Sequence, residues 1–250
     1  MKTHPCRVLH GSAPIAGALL AFALCACSPG SGQPGAASGA ANPQDARTAE
    51  AAQKLQLYQQ MLAGHRDDLA APIGEEIVGD FPGTPAAAEV QKTLPGIEAQ
   101  AKARAERDRL AALWSYQVAM QSGARQYSAS ITSSRPTGED SVRLILRRHA
   151  EWGQSVYLFG SGHGFVCKGE CSVPMRFDGK AQKWKAYLPK TGEPALFIKD
   201  DARFIKALGN AKEIEMDVET RDQGRETLGF EVGGYDPAKF PQLPGKSRHG

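Results

Sequence analysis

The chain changes character at Trp114, and that change limits its possible folds more than any other feature. Residues 45–113 are rich in Ala, Gln, Glu, Lys and Arg, with no Trp and one Tyr. These are helix formers. From Trp114 onward Val, Ile, Tyr, Phe and Thr recur between frequent glycines, which is the pattern of short strands. In "SVRLILRRH" Val142, Leu144 and Leu146 share one face and Arg143 and Arg147 the other, as in a half-buried antiparallel strand. Similar runs are "WSYQVAM", "QYSASITS", "SVYLFG", "GFVC", "CSVPMRF", "KWKAYL", "ALFI", "EIEMDVET" and "TLGFEVGG", so about nine strands are expected. One helix interrupts them: "DDARFIKALGNAK" has Asp200 or Asp201 as N-cap, an apolar face of Phe204, Ile205 and Leu208, and a stop at Gly209-Asn210. The expected class is α+β: an N-terminal helical hairpin or spacer, then an antiparallel β-sandwich or open barrel with one short helix.

Within 45–113 the helices follow their own punctuation. Leu55, Tyr58, Met61 and Leu62 recur at helical spacing. A second helix is expected over 70–78. A third starts at Pro85 behind the N-cap Thr84, with a break at Pro95-Gly96. Lys102, Arg104, Arg107 and Arg109 interleave with Glu98, Glu106 and Asp108, which describes a solvated face with support from the Glu98–Lys102 spacing, not a nucleic-acid stripe. The stretch "IVGDFPGTPAAAEV" resembles the join between tetratricopeptide repeats. A solenoid needs about three repeats, and this resemblance spans about one. A repeat array is therefore not expected, and the segment reads as a helical hairpin that packs on the second domain or extends it from the membrane, with a partner-docking or self-association element as the alternative.

The first residues carry Lys2 and Arg7 and no acid, followed by an apolar run over 13–26. That run is shorter than the ~20 residues of a membrane-spanning helix and has the layout of a secretory signal. Its end, Leu24-Cys25-Ala26-Cys27, resembles the bacterial lipobox. The resemblance implies cleavage before Cys27, a thioether-linked diacylglycerol on Cys27 and acylation of its new amine. Cys25 fits the pattern less well. The alternative is an ordinary secretory signal that happens to contain cysteines. Residues 28–41 are almost only Ser, Pro, Gly, Gln and Ala, a flexible tether. Ser28 after the lipidated cysteine implies, by the enterobacterial sorting pattern, the outer membrane facing the periplasm. The expected organisation is thus signal 1–26, tether 27–44, helical region 45–113, β-rich domain 114–238 and disordered tail 239–250. The formal charge of +3 falls to about +1 once Lys2 and Arg7 leave, so nothing in the charge suggests nucleic acid as a partner.

Of five cysteines, Cys6 and Cys25 would leave with the signal and Cys27 would carry lipid. Cys167 and Cys171 remain. An even pair in an oxidising compartment points to a disulfide. The intervening Lys168-Gly169-Glu170 has the length of a hairpin loop, which would set the two across from each other. The alternatives are a metal site with His163, which lacks a second cysteine pair and has only His149 or His65 for a fourth ligand, and a redox pair, which normally has two intervening residues. "FGSGHG" reads as a hairpin turn, because neither a Gly-Lys-Ser/Thr nor a helix follows it. A Ser161–His163–Asp178 set can be assembled only on paper, and no Gly-x-Ser-x-Gly elbow is present. His149 and Trp152 are expected at the surface. Arg143, Arg147, Arg148 and Arg176 are candidates for one exposed, anion-binding face, the alternative being a solvated face.

Residues 157–234, with "CSVPMRFDG", "ALFIKDDARFIKALGNAKEIEMDVE" and "FEVGG", resemble a domain of uncharacterised bacterial envelope proteins. That resemblance implies the fold and the envelope location and carries no catalytic residues. The expectation is a lipid-anchored envelope protein without enzyme activity, cofactor or metal. It would bind the membrane through its anchor, and an envelope protein or a cell-wall or lipid ligand through its domains. The alternative is an inhibitor of an envelope-directed hydrolase of the lysozyme-inhibitor kind, or an envelope hydrolase.

Overall fold

Three helices open the part of the chain covered by the computed structural model, which describes residues 42–160 and 162–243. The signal, Cys25, Cys27 and the tether up to residue 41 lie outside the described residues, as do Ser161 and 244–250. Helix α1 spans Pro43–Ala63, and the Asn42 side chain accepts from the Gln44 amide at its start. Helix α2 spans Asp67–Asp80, with Asp67 and Asp68 where the helix dipole favours acids. Helix α3 spans Pro85–Ala112, and Thr84 Oγ1 accepts from the Ala87 amide at 3.2 Å, as its sequence suggests.

The break expected at Pro95-Gly96 does not occur, and α3 runs through it. Both residues are exposed while Leu94 is buried. The carbonyl that Pro95 leaves without a donor therefore lies on the water side, where solvent satisfies it. Tyr58, Ile77, Phe81, Val90 and Leu94 form the core between the helices, with Leu55, Met61 and Leu62 packed against it. Tyr58 Oη and Thr93 Oγ1 share a hydrogen bond of 2.9 Å. Gly74 permits this approach: a Cβ there would stand 2.7 Å from Leu94 Cδ1 and 3.0 Å from the Tyr58 ring.

The rest is sheet. Among the described residues nine strands form one antiparallel sheet. They are β1 Trp114–Gln121, β2 Ala124–Thr132, β3 Arg143–His149, β4 Gly153–Phe159, β5 Glu170–Phe177, β6 Lys180–Tyr187, β7 Ala195–Ile198, β8 Ile214–Thr220 and β9 Gly224–Phe230. Their order is β1-β2-β3-β4-β7-β6-β5-β8-β9. The two stacked sheets of a sandwich are absent among the described residues. The sheet is open: β1 and β9 do not pair, and a single bridge, Arg135 to Gly229, ties β9 to the β2–β3 connection.

"GFVC" is the one expected strand that does not form. After β4 the chain crosses to β8, where Phe165 makes an isolated bridge to Thr220 and the Val166 amide donates to the Glu219 carbonyl at 2.7 Å. The reason lies in β5. Pro174 has no N–H to give, and β5 pairs with β8 only over Met175–Phe177 against Ile214–Met216. Beyond that point the strands part, and the 164–166 segment takes the vacated place beside β8.

Alternation gives the sheet an inner face of Leu144, Leu146, Val156, Leu158, Met175, Met216 and Phe230, all fully buried. Helix α4, Asp201–Leu208, is N-capped by Asp200 and inserts Phe204 and Leu208 into this core. Phe204 meets the rings of Phe177 and Trp184 edge-on, at 5.7 and 5.5 Å. The expected tail is not free where it is described: Phe240 is 1% exposed, its ring lies 4.2 Å from the Arg148 guanidinium, and its carbonyl accepts from Arg148 Nη1. Helices meet sheet where Arg109 pairs with Glu231 and Gly234 passes against the Leu110 carbonyl, 2.2 Å from where a Cβ would sit.

Gly74→Val is expected to lower the unfolding free energy by about 1–3 kcal/mol through overpacking. Chemical denaturation followed by helical circular dichroism measures it.

Candidate ligand-binding face

The disulfide is present. Cys167 and Cys171 are bonded, with Cα atoms 5.5 Å apart. It does not span a hairpin, because Cys167 lies outside any strand while Cys171 belongs to β5 and faces Ala186 of β6. The bridge pins the incoming loop to the start of β5. With both sulfurs so used, no thiolate remains to share a metal with His163, and among the described residues no three His, Cys, Asp or Glu side chains converge on an ion. His163 instead faces Asp222: its amide donates to Asp222 Oδ2 at 2.9 Å and its Nδ1 contacts Oδ1. The hydrogen bonds from His163 hold the Asp222 carboxyl below its usual value. Asp178 is elsewhere, accepting from the Lys212 and Glu213 amides at 2.9 Å each, so it forms no set with His163.

The four arginines are not brought together. On β3, alternation sends Arg143 and Arg147 to the outer face and Arg148 to the inner one. Arg148 is 7% exposed, and burial draws its guanidinium below the usual value. Its Nε donates to Gln154 Oε1 at 2.8 Å, and Gln154 is in turn bound to Asp201. Arg176, on β5, is consumed by carboxylates: Nε to Glu215 at 2.7 Å, and Nη1 and Nη2 to Asp217 at 2.9 and 3.0 Å. The hydrogen bonds from Arg176 hold both carboxyls below their usual range, and Asp217 also accepts from Thr227.

Arg143 and Arg147 differ from these two. Neither forms an ion pair among the described residues. The Arg143 guanidinium lies 5.6 Å from the Phe159 centroid. That of Arg147 lies 5.5 Å from both Trp152 and Tyr157, and its Nε donates to Ser155 Oγ at 3.1 Å. From Tyr157 the rings continue across the sheet to Phe197 at 4.8 Å and Tyr187 at 5.5 Å, standing side by side as cross-strand neighbours. Trp152, half exposed, stacks on His149 at 3.8 Å. His149 itself is buried, contrary to its expected surface position. Its Nε2 faces the Gln121 carbonyl at 3.0 Å, and its Nδ1 accepts from the Glu151 and Trp152 amides, which places the proton on Nε2.

This aromatic row was not read from the sequence. Its signal is the parity of "SVYLFG", where Tyr157 and Phe159 alternate with buried Val156 and Leu158. A guanidinium laid on a ring keeps its in-plane N–H donors free for a carboxylate or phosphate. A second feature lies where β5 and β8 part: an open cleft of about 740 Å³, lined by Val173, Pro174, Arg176, Asp217, Glu219 and Arg225 among others, whose charges are of both signs. Compared with protein-family models, with curated proteins and with solved structures, the chain matches none.

Reducing the Cys167–Cys171 bridge is expected to lower stability by about 1–2 kcal/mol without unfolding the domain, because the closed loop is short; denaturation midpoints with and without reductant measure this. The Arg176 network makes a second prediction. Carboxyls held low in the folded state stabilise it in full above their ordinary value of about 4 and stop doing so as the pH falls below it. Arg176→Gln should therefore lower the melting temperature at neutral pH and flatten its fall below pH ~4, as a pH series of thermal melts would show.

Proposed function

We propose that the chain is a lipid-anchored cell-envelope protein, held through Cys27 at the outer membrane and facing the periplasm. Its sheet acts as a non-enzymatic binding module for an anionic envelope component, and its tetratricopeptide-like helices act as a spacer. The observation that carries this reading is the pair Arg143 and Arg147, two outward guanidiniums held over aromatic rings with no carboxylate partner among the described residues. The ring contacts restrain each guanidinium in advance, so less side-chain freedom is lost when an anion docks. The carboxyls held low, by contrast, are tied up by arginine, lysine, histidine or threonine side chains or by backbone amides, as structural ion pairs and turns require. In this reading the fold is an open barrel, drawn round on itself by the Arg135–Gly229 bridge and filled by α4.

Two measurements test this. Intact mass after membrane fractionation is expected to place the wild type in the outer membrane, carrying the mass of a diacylglycerol and an acyl chain, and Cys27→Ala in the soluble fraction. In the Cys27→Ala background the chain should be retained on lipid-extracted envelope material. Adding Arg143→Gln and Arg147→Gln should lower that retention about tenfold. A soluble wild type overturns the anchor, and unchanged retention without the two arginines overturns the site.

A further inference from the structure

The two edges of the sheet are treated differently. Strand β9 carries Arg225 and Glu226, and at Gly229 it is closed by backbone bonds: the Ser134 amide donates to the Gly229 carbonyl and the Gly229 amide to the Arg135 carbonyl, each at 2.8 Å. Strand β1, "WSYQVAMQ", has no charge, no proline and no bulge in its pairing with β2. Those are the devices by which edge strands are usually kept from pairing with other chains. From Gln117 to Gln121 every residue is exposed. Val118 and Met120, at 65% and 68%, are the most exposed large apolar side chains among the described residues.

The register shows which backbone groups of β1 are free. The Ala150 amide donates to the Arg125 carbonyl, so at Arg125 the β2 backbone points toward β3 and away from β1. Arg125 faces Met120. Met120 therefore stands in a non-hydrogen-bonded pair, with its own N–H and C=O directed outward. By alternation the same holds for Val118 and Tyr116.

We propose that β1 is a self-association edge, where a second copy of this chain adds its own β1 antiparallel across a two-fold axis at Val118. The sequence of β1 is self-complementary in that register. Val118 faces the partner's Val118, Tyr116 faces the partner's Met120, Gln117 faces the partner's Ala119, and Ser115 faces the partner's Gln121. Each Met sulfur then meets a Tyr ring, a favourable contact. Because the strand is uncharged, no like charges meet at the axis, where a charged residue would confront its own copy. Tyr116, Val118 and Met120 each donate one backbone bond and accept one. Self-pairing is an isologous contact that closes at two copies, so it does not extend into a filament.

Sedimentation velocity of the detergent-solubilised full chain tests this, across concentrations up to about 0.1 mM. A concentration-dependent dimer is expected. Val118→Pro removes an outward N–H and leaves the β1–β2 ladder intact, since proline is tolerated at such an edge position. It should be monomeric over the same range, with an unchanged circular dichroism spectrum. Mild oxidation of Val118→Cys should give a disulfide-linked dimer, while Thr227→Cys on β9 should not. A wild type that stays monomeric, a dimer that survives Val118→Pro in a folded protein, or equal crosslinking from Thr227→Cys would each overturn the proposal. An edge that takes only a different protein's strand falls under the first of these outcomes.

Discussion

Phe204 plugs the core that lines the inner face of the sheet. It comes from α4, a helix of two turns that could not stand in water by itself, and it meets the edges of Phe177 on β5 and Trp184 on β6. Arg203, one residue earlier, lies 4.1 Å over the Trp184 ring from the solvent side. A single open sheet buries one face only if something fills its concavity. Here the filling is α4 together with the returning C-terminal segment. The outer face is thereby left to water, and the aromatic row, the arginines and the β5–β8 cleft all depend on that arrangement.

What was legible in the sequence was local. The boundary at Trp114, the inward parity of Val142, Leu144 and Leu146, the caps at Thr84 and Asp200 and the Cys167–Cys171 pairing each rest on residues within a few positions of one another. What was not legible depended on distant partners. Arg148 has inward parity, yet its charge argues for the surface. It is buried because Gln154, Phe240 and the Phe240 carbonyl receive it, and the last of these lies 92 residues away. "GFVC" has strand composition but no free neighbour until Pro174 opens a place beside β8. Pro95 looks like a stop, and whether it stops a helix depends on which side of that helix faces water.

The candidate site divides in the same way. The period-two pattern does put Arg143 and Arg147 outward. It says nothing of the carboxylates across the sheet, and those carboxylates decide that Arg176 is spent while Arg143 and Arg147 are not. The row from Trp152 to Tyr187 starts in the β3–β4 turn and crosses three strands, β4, β7 and β6, whose order in the sheet is not their order in the chain. No window of sequence contains it.

The bond from Arg148 to Phe240 also bears on timing. Arg148 leaves the ribosome long before the residue whose carbonyl and ring cover it. Until then the third strand holds a guanidinium on the side of the sheet that must become dry, and an unpartnered charge there is costly. The first half of the domain therefore cannot settle into its final packing while the chain is still being made. A version of the protein ending before Phe240 but after Phe230 would lose the stopper of its core, although every strand of the sheet would still be present.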